Sequence, residues 1–245
     1  MQYNTALGFL LGGISLYLAY KKKFNLAIGF LVILGSIGFL TLVEYIMGVN
    51  IGLDELFMKH YITVETSHPG RMAPNTALCF FLSSIAIVLT FGKNVKRMQI
   101  SSILGALIFG LGIIAFIGYL IGMEVTYGGG KLTRMAVHTS AGFMFLGTGV
   151  TILNLHQDKY LTSSKNLTKN AWLTGYAFTL ALIIFFIDLS LPLGLAMGVP
   201  YVLFVLFAWY IKHEGITTIL AICSTVLIIA GVIYSATEMK SSIVI

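Results

Sequence analysis

The sequence predicts an all-α fold: a polytopic membrane helix bundle of about eight transmembrane helices, built from repeated helical hairpins. Three observations predict it. Only 10% of the 245 residues are charged and 58% are hydrophobic, with a mean hydropathy of +0.93. A water-soluble domain carries about 25% charged residues and cannot conceal this much apolar surface. The apolar residues also fall into eight runs, each near the roughly 20 residues that a spanning helix needs. Finally, one polar phrase recurs at the head of alternate runs: "YNTALGFL" from Tyr3, "RMAPNTALCFFL" from Arg71 and "RMAVHTSAGFMFL" from Arg134.

The expected spans are 4–20, 26–48, 72–92, 98–122, 134–155, 171–188, 193–211 and 215–236. Their order fixes which loops share a side. "YKKKFN" follows the first span and "GKNVKR" the third, each with a charge of +3. "HQDKYLTSSKNLTKN" follows the fifth at +2, and "KHEG" the seventh at 0. On the other side, the loop from Val49 to Arg71 is −1 and Met123–Arg134 is +1, while the turn at Asp188 has one acid and no base. Lys and Arg in short loops mark the cytoplasmic face. The N-terminus and the loop at 49–71 are therefore expected outside. The formal charge of +6 is explained by this orientation, and nucleic acid is not an expected partner. Lys21, Lys22 and Lys23 follow the first run instead of preceding it, the reverse of a signal peptide. Cys79 and Cys223 lie inside apolar runs and read as small hydrophobes.

The repeated phrase has a fixed register. Aligned on Thr5, Thr76 and Thr139, it places Asn4, Asn75 and His138 one residue earlier. Small residues (Gly8, Cys79, Gly142) come three later and Phe9, Phe80 and Phe143 four later. The even helices repeat too: Gly38 matches Gly112, Tyr45 matches Tyr119 and Gly48 matches Gly122. The unit is thus a helical hairpin, used twice clearly and begun a third time, always in the same direction. Residues 1–155 are expected to form this repeated-hairpin module. Residues 156–245 are expected to form a second membrane module of three helices, stopped short at its C-terminus.

The residue types suggest two roles for the phrase. Asn, Ser and Thr accept hydrogen bonds from free N–H groups at helix starts, and Pro74 suits a first turn, so capping accounts for Asn4, Thr5, Asn75 and Thr76. Capping does not account for the small residues, which let transmembrane helices approach closely. Gly8/Gly12 and Cys79/Ser83 have that spacing. If the first, third and fifth helices pack through these faces, their polar heads converge in an outer vestibule. The candidate ligand-binding residues are then Asn4, Thr5, Asn75, Thr76, His138 and Thr139, with Arg71 and Arg134 above them. Tyr45 and Tyr119 end neighbouring helices on the same side. Glu44, an acid inside an apolar run, joins them as a costly and therefore functional candidate, or as an ion-pair partner of an arginine.

Other chemistries find less support. A haem held between two histidines needs a matched pair of depths, and only His138 lies near a helix start. Met72 and Met135, equally spaced from Asn75 and His138, are soft enough for copper, yet methionine is ordinarily a packing residue. No nucleophile motif or phosphate loop occurs, and "YGGGK" at Tyr127–Lys131 reads as a loop. No catalytic motif, metal site or named cofactor is expected. "LDELFMKHY" from Leu53 has helical apolar spacing, as a surface-lying amphipathic helix would.

"GLDELF", "PGRMAPNTALCFFL", "GYLIG" and "TRMAVHTSAGFMFLG" together resemble the membrane-integral sensory region of bacterial sensor histidine kinases and diguanylate cyclases. "DLSLPLGLAMGVPYVLFVLFAWY" and "TTILAICSTVLIIAGVIYSA" resemble a second membrane module found in such kinases. The resemblance implies a signal-input domain of a two-component type of system. Its expected partners are the lipid bilayer, a small-molecule or quinone ligand and a second copy in a homodimer. It assigns no ligand to particular residues. Such regions feed a cytoplasmic output part, and no kinase or cyclase motif follows here. A transporter and a quinone- or haem-binding redox protein are the alternatives.

Overall fold

The computed structural model describes residues 2–56, 68–92, 94–122 and 133–158. The chain divides into two compact units, Met1–Gly175 and Tyr176–Ile245, and the described residues belong to the first. The expected helices at 171–188, 193–211 and 215–236 lie outside them. So do nearly all of the 156–245 module, the loop at Tyr127–Lys131 and the part of the amphipathic stretch beyond Leu56.

The described residues form five helices and no strand: α1 (Tyr3–Tyr20), α2 (Phe24–Met47), α3 (Pro74–Leu89), α4 (Val95–Ile121) and α5 (Val137–Asp158). Two of them, over Phe24–Met47 and Lys96–Leu120, are long and apolar enough to cross a membrane. Large apolar side chains stand exposed along them and their neighbours, among them Val32, Ile33, Phe39, Leu120, Phe145 and Ile152.

Local chemistry sets the ends. Pro74 opens α3, and Ala73 before it is extended (ψ 148°), because the pyrrolidine ring disfavours helical backbone in the preceding residue. The Asn94 side chain accepts from the Lys96 N–H at 2.9 Å and starts α4. α2 and α4 both stop at a left-handed glycine, Gly48 (φ 65°) and Gly122 (φ 73°), a conformation that costs glycine little. These are the two glycines that the repeat had matched.

The odd helices α1, α3 and α5 touch one another, α2 packs on α1 and α3, and α4 packs on α3 and α5. Each hairpin packs on the next odd helix through the same contact. A Cβ on Gly38 would stand 2.6 Å from the Ala77 carbonyl oxygen, and one on Gly112 2.7 Å from that of Ser140. Bare backbone at these two crossings lets each even helix lie directly on the next odd one. Several buried hydroxyls donate within their own helices, as in Ser15 to Leu11 O (2.7 Å), Ser83 to Cys79 O (2.6 Å) and Thr151 to Gly147 O (3.0 Å). One polar chain crosses between helices: Asn154 Nδ2 donates to Ser101 Oγ (2.8 Å), whose hydroxyl donates to Ala86 O (2.7 Å).

Candidate functional site

The three phrase heads come together. Thr5, Thr76 and Thr139 are all buried, at 3%, 1% and 2% exposure. One helical turn further on, Phe9, Phe80 and Phe143 form a closed triangle of rings. Phe9 lies 5.0 Å from Phe80 and 4.8 Å from Phe143, and Phe80 lies 4.8 Å from Phe143. Such tilted and edge-on pairs are the favoured arrangement of aromatic quadrupoles. The small residues of the phrase make room for the rings. A Cβ on Gly8 would meet the Phe80 ring at 2.5 Å, and one on Gly142 would meet the Phe9 ring at 2.5 Å.

Beside these heads, the end of α2, the loop after it and the entry to α3 build a buried ionic cluster. Arg71 (1% exposed) donates from Nε to Asp54 Oδ2 at 2.7 Å, and the same Nε lies 3.6 Å from Glu44 Oε2. Arg71 also donates to Val49 O at 3.2 Å, approaches His68 Nδ1 at 3.4 Å, and places its guanidinium 5.4 Å from the Tyr45 ring centre. Glu44 is fully buried at 0%, and its Oε1 accepts from the Ile51 N–H at 2.8 Å. Burial pushes the Asp54 carboxyl up from its ordinary value, and the Glu44 charge adds to the rise; the hydrogen bond and charge of Arg71, and His68, oppose it. Among the described residues, two buried carboxylate oxygens, Glu44 Oε2 and Asp54 Oδ1, find no hydrogen-bond partner.

The candidate residues therefore divide. Glu44 and Arg71 form the ion pair that was the alternative reading of Glu44. Tyr45 donates to the Met72 carbonyl at 3.0 Å, and Tyr119 donates to the Met135 carbonyl, so both tyrosines tie an even helix to the head of the next odd one. Asn4 is buried at 3%, but it does not cap its helix. Its Nδ2 donates to Leu53 O at 3.1 Å and Asp54 O at 3.4 Å, holding the loop of the ionic cluster against α1. The residues at the cap positions of α1 and α3 are Gln2 and Ala73, and neither makes a side-chain cap. The capping account of Asn4, Thr5 and Thr76 thus gives way to packing. Asn75 is half-buried and accepts from the Thr76 N–H at 3.0 Å. Arg134 is half-buried, and His138 is exposed at the start of α5, away from the buried layer that holds Thr139.

Asp54 and His68 belong to this cluster and were not among the candidates. Asp54 sits in "GLDELF", where composition offers only a surface acid; nothing in the spacing brings it to Arg71. Among the described residues, no group of three His, Cys, Asp or Glu side chains could hold a metal ion. A groove of about 420 Å³ runs along α2 and α3 at Val32, Gly35, Phe39, Phe81, Ser84 and Val88, apart from the polar heads and almost wholly apolar. The chemistry available at the heads is recognition by charge and hydrogen bond, next to one buried arginine between two acids. No protein-family model, curated protein or solved structure matches this chain.

Proposed function

We propose that this chain is a membrane-embedded signal-input domain. In this reading it crosses a bacterial inner membrane about eight times with its N-terminus outside. It binds a small or lipid-soluble ligand at the outer heads of α1, α3 and α5 and relays binding through helix packing to an output partner. The observation that carries the reading is the burial of Thr5, Thr76 and Thr139 at the heads of three helices that touch one another, together with the buried Glu44–Arg71–Asp54 cluster. Polar heads that only ended separate rods would face separate surfaces. Ionisable side chains buried at a membrane boundary are expensive and mark functional places. The apolar side chains exposed on α2, α4 and α5 suit a lipid surround. A ligand moves such a packing equilibrium only as far as it prefers one packing over the other.

The test is thermal unfolding of the purified full chain against quinones, haem and small inorganic anions. The reading expects one class to raise the midpoint, with the rise lost in Thr76→Val or Thr139→Val. A panel that shifts nothing overturns ligand binding at the heads. An absorbance band of bound haem would move the reading to a redox protein, and substrate uptake into proteoliposomes would move it to a transporter.

A further inference from the structure

The charges of the ionic cluster do not balance if every group carries its ordinary charge. Among the described residues, α2 contributes Glu44 and the neutral Tyr45, the loop contributes Asp54, the α3 entry contributes Arg71 and His68, and α1 contributes the uncharged Asn4. Two carboxylates face a single guanidinium nitrogen. Glu55 beside them is exposed. His68 is partly exposed and approaches Arg71 at 3.4 Å. With both acids ionised, the two carboxylates and one guanidinium leave a net negative charge in a buried place, and among the described residues Glu44 Oε2 and Asp54 Oδ1 find no hydrogen-bond partner. An uncompensated buried charge is costly enough that such groups ordinarily neutralise instead.

We infer that Asp54 is a proton-binding site beside Arg71 and Glu44, and that loss of its proton releases the loop at 49–56 from the helix heads. The inference rests on reading these heads as a sensory site, and it names protons as what regulates them. Glu44 is held by helix α2, whereas Asp54 is carried by the loop, so repulsion between two bare carboxylates displaces the loop. That motion draws the Leu53 and Asp54 carbonyls away from Asn4 and so loosens α1 from α2 and α3. It also breaks the seat of Gly70, where a Cβ would lie 2.5 Å from the Asp54 carbonyl oxygen. The proton goes to solvent, and no other bond is made or broken.

Infrared titration of the full chain in lipid nanodiscs tests this. The expected result is one protonated-carboxyl stretch per chain that persists above the ordinary aspartate value of 3.8 and disappears in a single step as pH rises. Asp54→Asn should abolish it. Hydrogen exchange over 50–56 should rise across the same step in the unmodified chain. Absence of a protonated carboxyl above pH 3.8 overturns the inference, as does a band that survives Asp54→Asn. A midpoint that moves with sodium or potassium at constant ionic strength overturns it in favour of a bound monovalent cation. If the variant does not fold, the step height and salt response of the unmodified chain decide. Failure of the ligand panel with this titration intact would sink the ligand-binding reading alone; a ligand response without the titration would sink only the proton site.

Discussion

Glu44 stands at the end of α2, and at the matching end of α4 the residue is Gly118. Most else in the two hairpins corresponds. Gly38 and Gly112 bring backbones together in the same way, Tyr45 and Tyr119 bond the corresponding methionine carbonyls, and Gly48 and Gly122 end their helices in the same left-handed turn. The arginines match as well, but Arg71 is buried at 1% between two acids while Arg134 is half-buried. The difference teaches that the repeat carries the scaffold and a departure from the repeat carries the charge. An acid at position 44 and a loop acid at 54 convert one of two equivalent helix heads into an ionic site.

The comparison predicts a ranking of effects. Arg71→Met should cost most, about 3–5 kcal/mol, because it strands two buried carboxyls. Arg134→Met should cost clearly less, measured by thermal unfolding in detergent. Equal losses would break the contrast between the hairpins. Gly38→Ala and Gly112→Ala should each cost about 1–3 kcal/mol, since each added methyl meets backbone that must move. Here near-equality is expected, and a large gap would show that the two crossings are not equivalent. Tyr45→Phe and Tyr119→Phe should each cost about 0.5–1.5 kcal/mol, the ordinary worth of one hydrogen bond.

The smallest effect lies in pH dependence. The folded state holds the Asp54 proton more tightly than the unfolded chain, whose value is near 3.8. Folding therefore takes up a proton between that value and the raised one, and stability falls as pH rises through this window. Asp54→Asn should flatten that slope, while Arg134→Met should leave it unchanged, read from unfolding midpoints across an acid-to-neutral series.

Much of this arrangement was legible in the sequence. The expected spans at 4–20 and 26–48 became Tyr3–Tyr20 and Phe24–Met47, because apolar length and flanking lysines mark such helices directly. The span at 72–92 narrowed to Pro74–Leu89, since the proline holds Ala73 extended and the chain turns at Thr90. The register of Phe9, Phe80 and Phe143 announced a shared interface, because equal spacing from equal heads puts side chains at equal depth. The partners of Arg71 and Asn4 were not legible in full. Asn4 reaches a loop 49 residues away and Asp54 meets Arg71 across 17, and neither distance leaves a periodic trace. Capping seemed sufficient for Asn4 because local chemistry is all that a single sequence exposes.

The aromatic triangle constrains motion as much as it fills space. Phe80 nests over Gly8 while Phe9 nests over Gly142, so the rods mesh like cogs, each tooth in a neighbour's gap. Turning α1 about its own axis would drive Phe9 into α5 and slide Gly8 out from under Phe80. A twist applied at any one head therefore has to be shared by its neighbours.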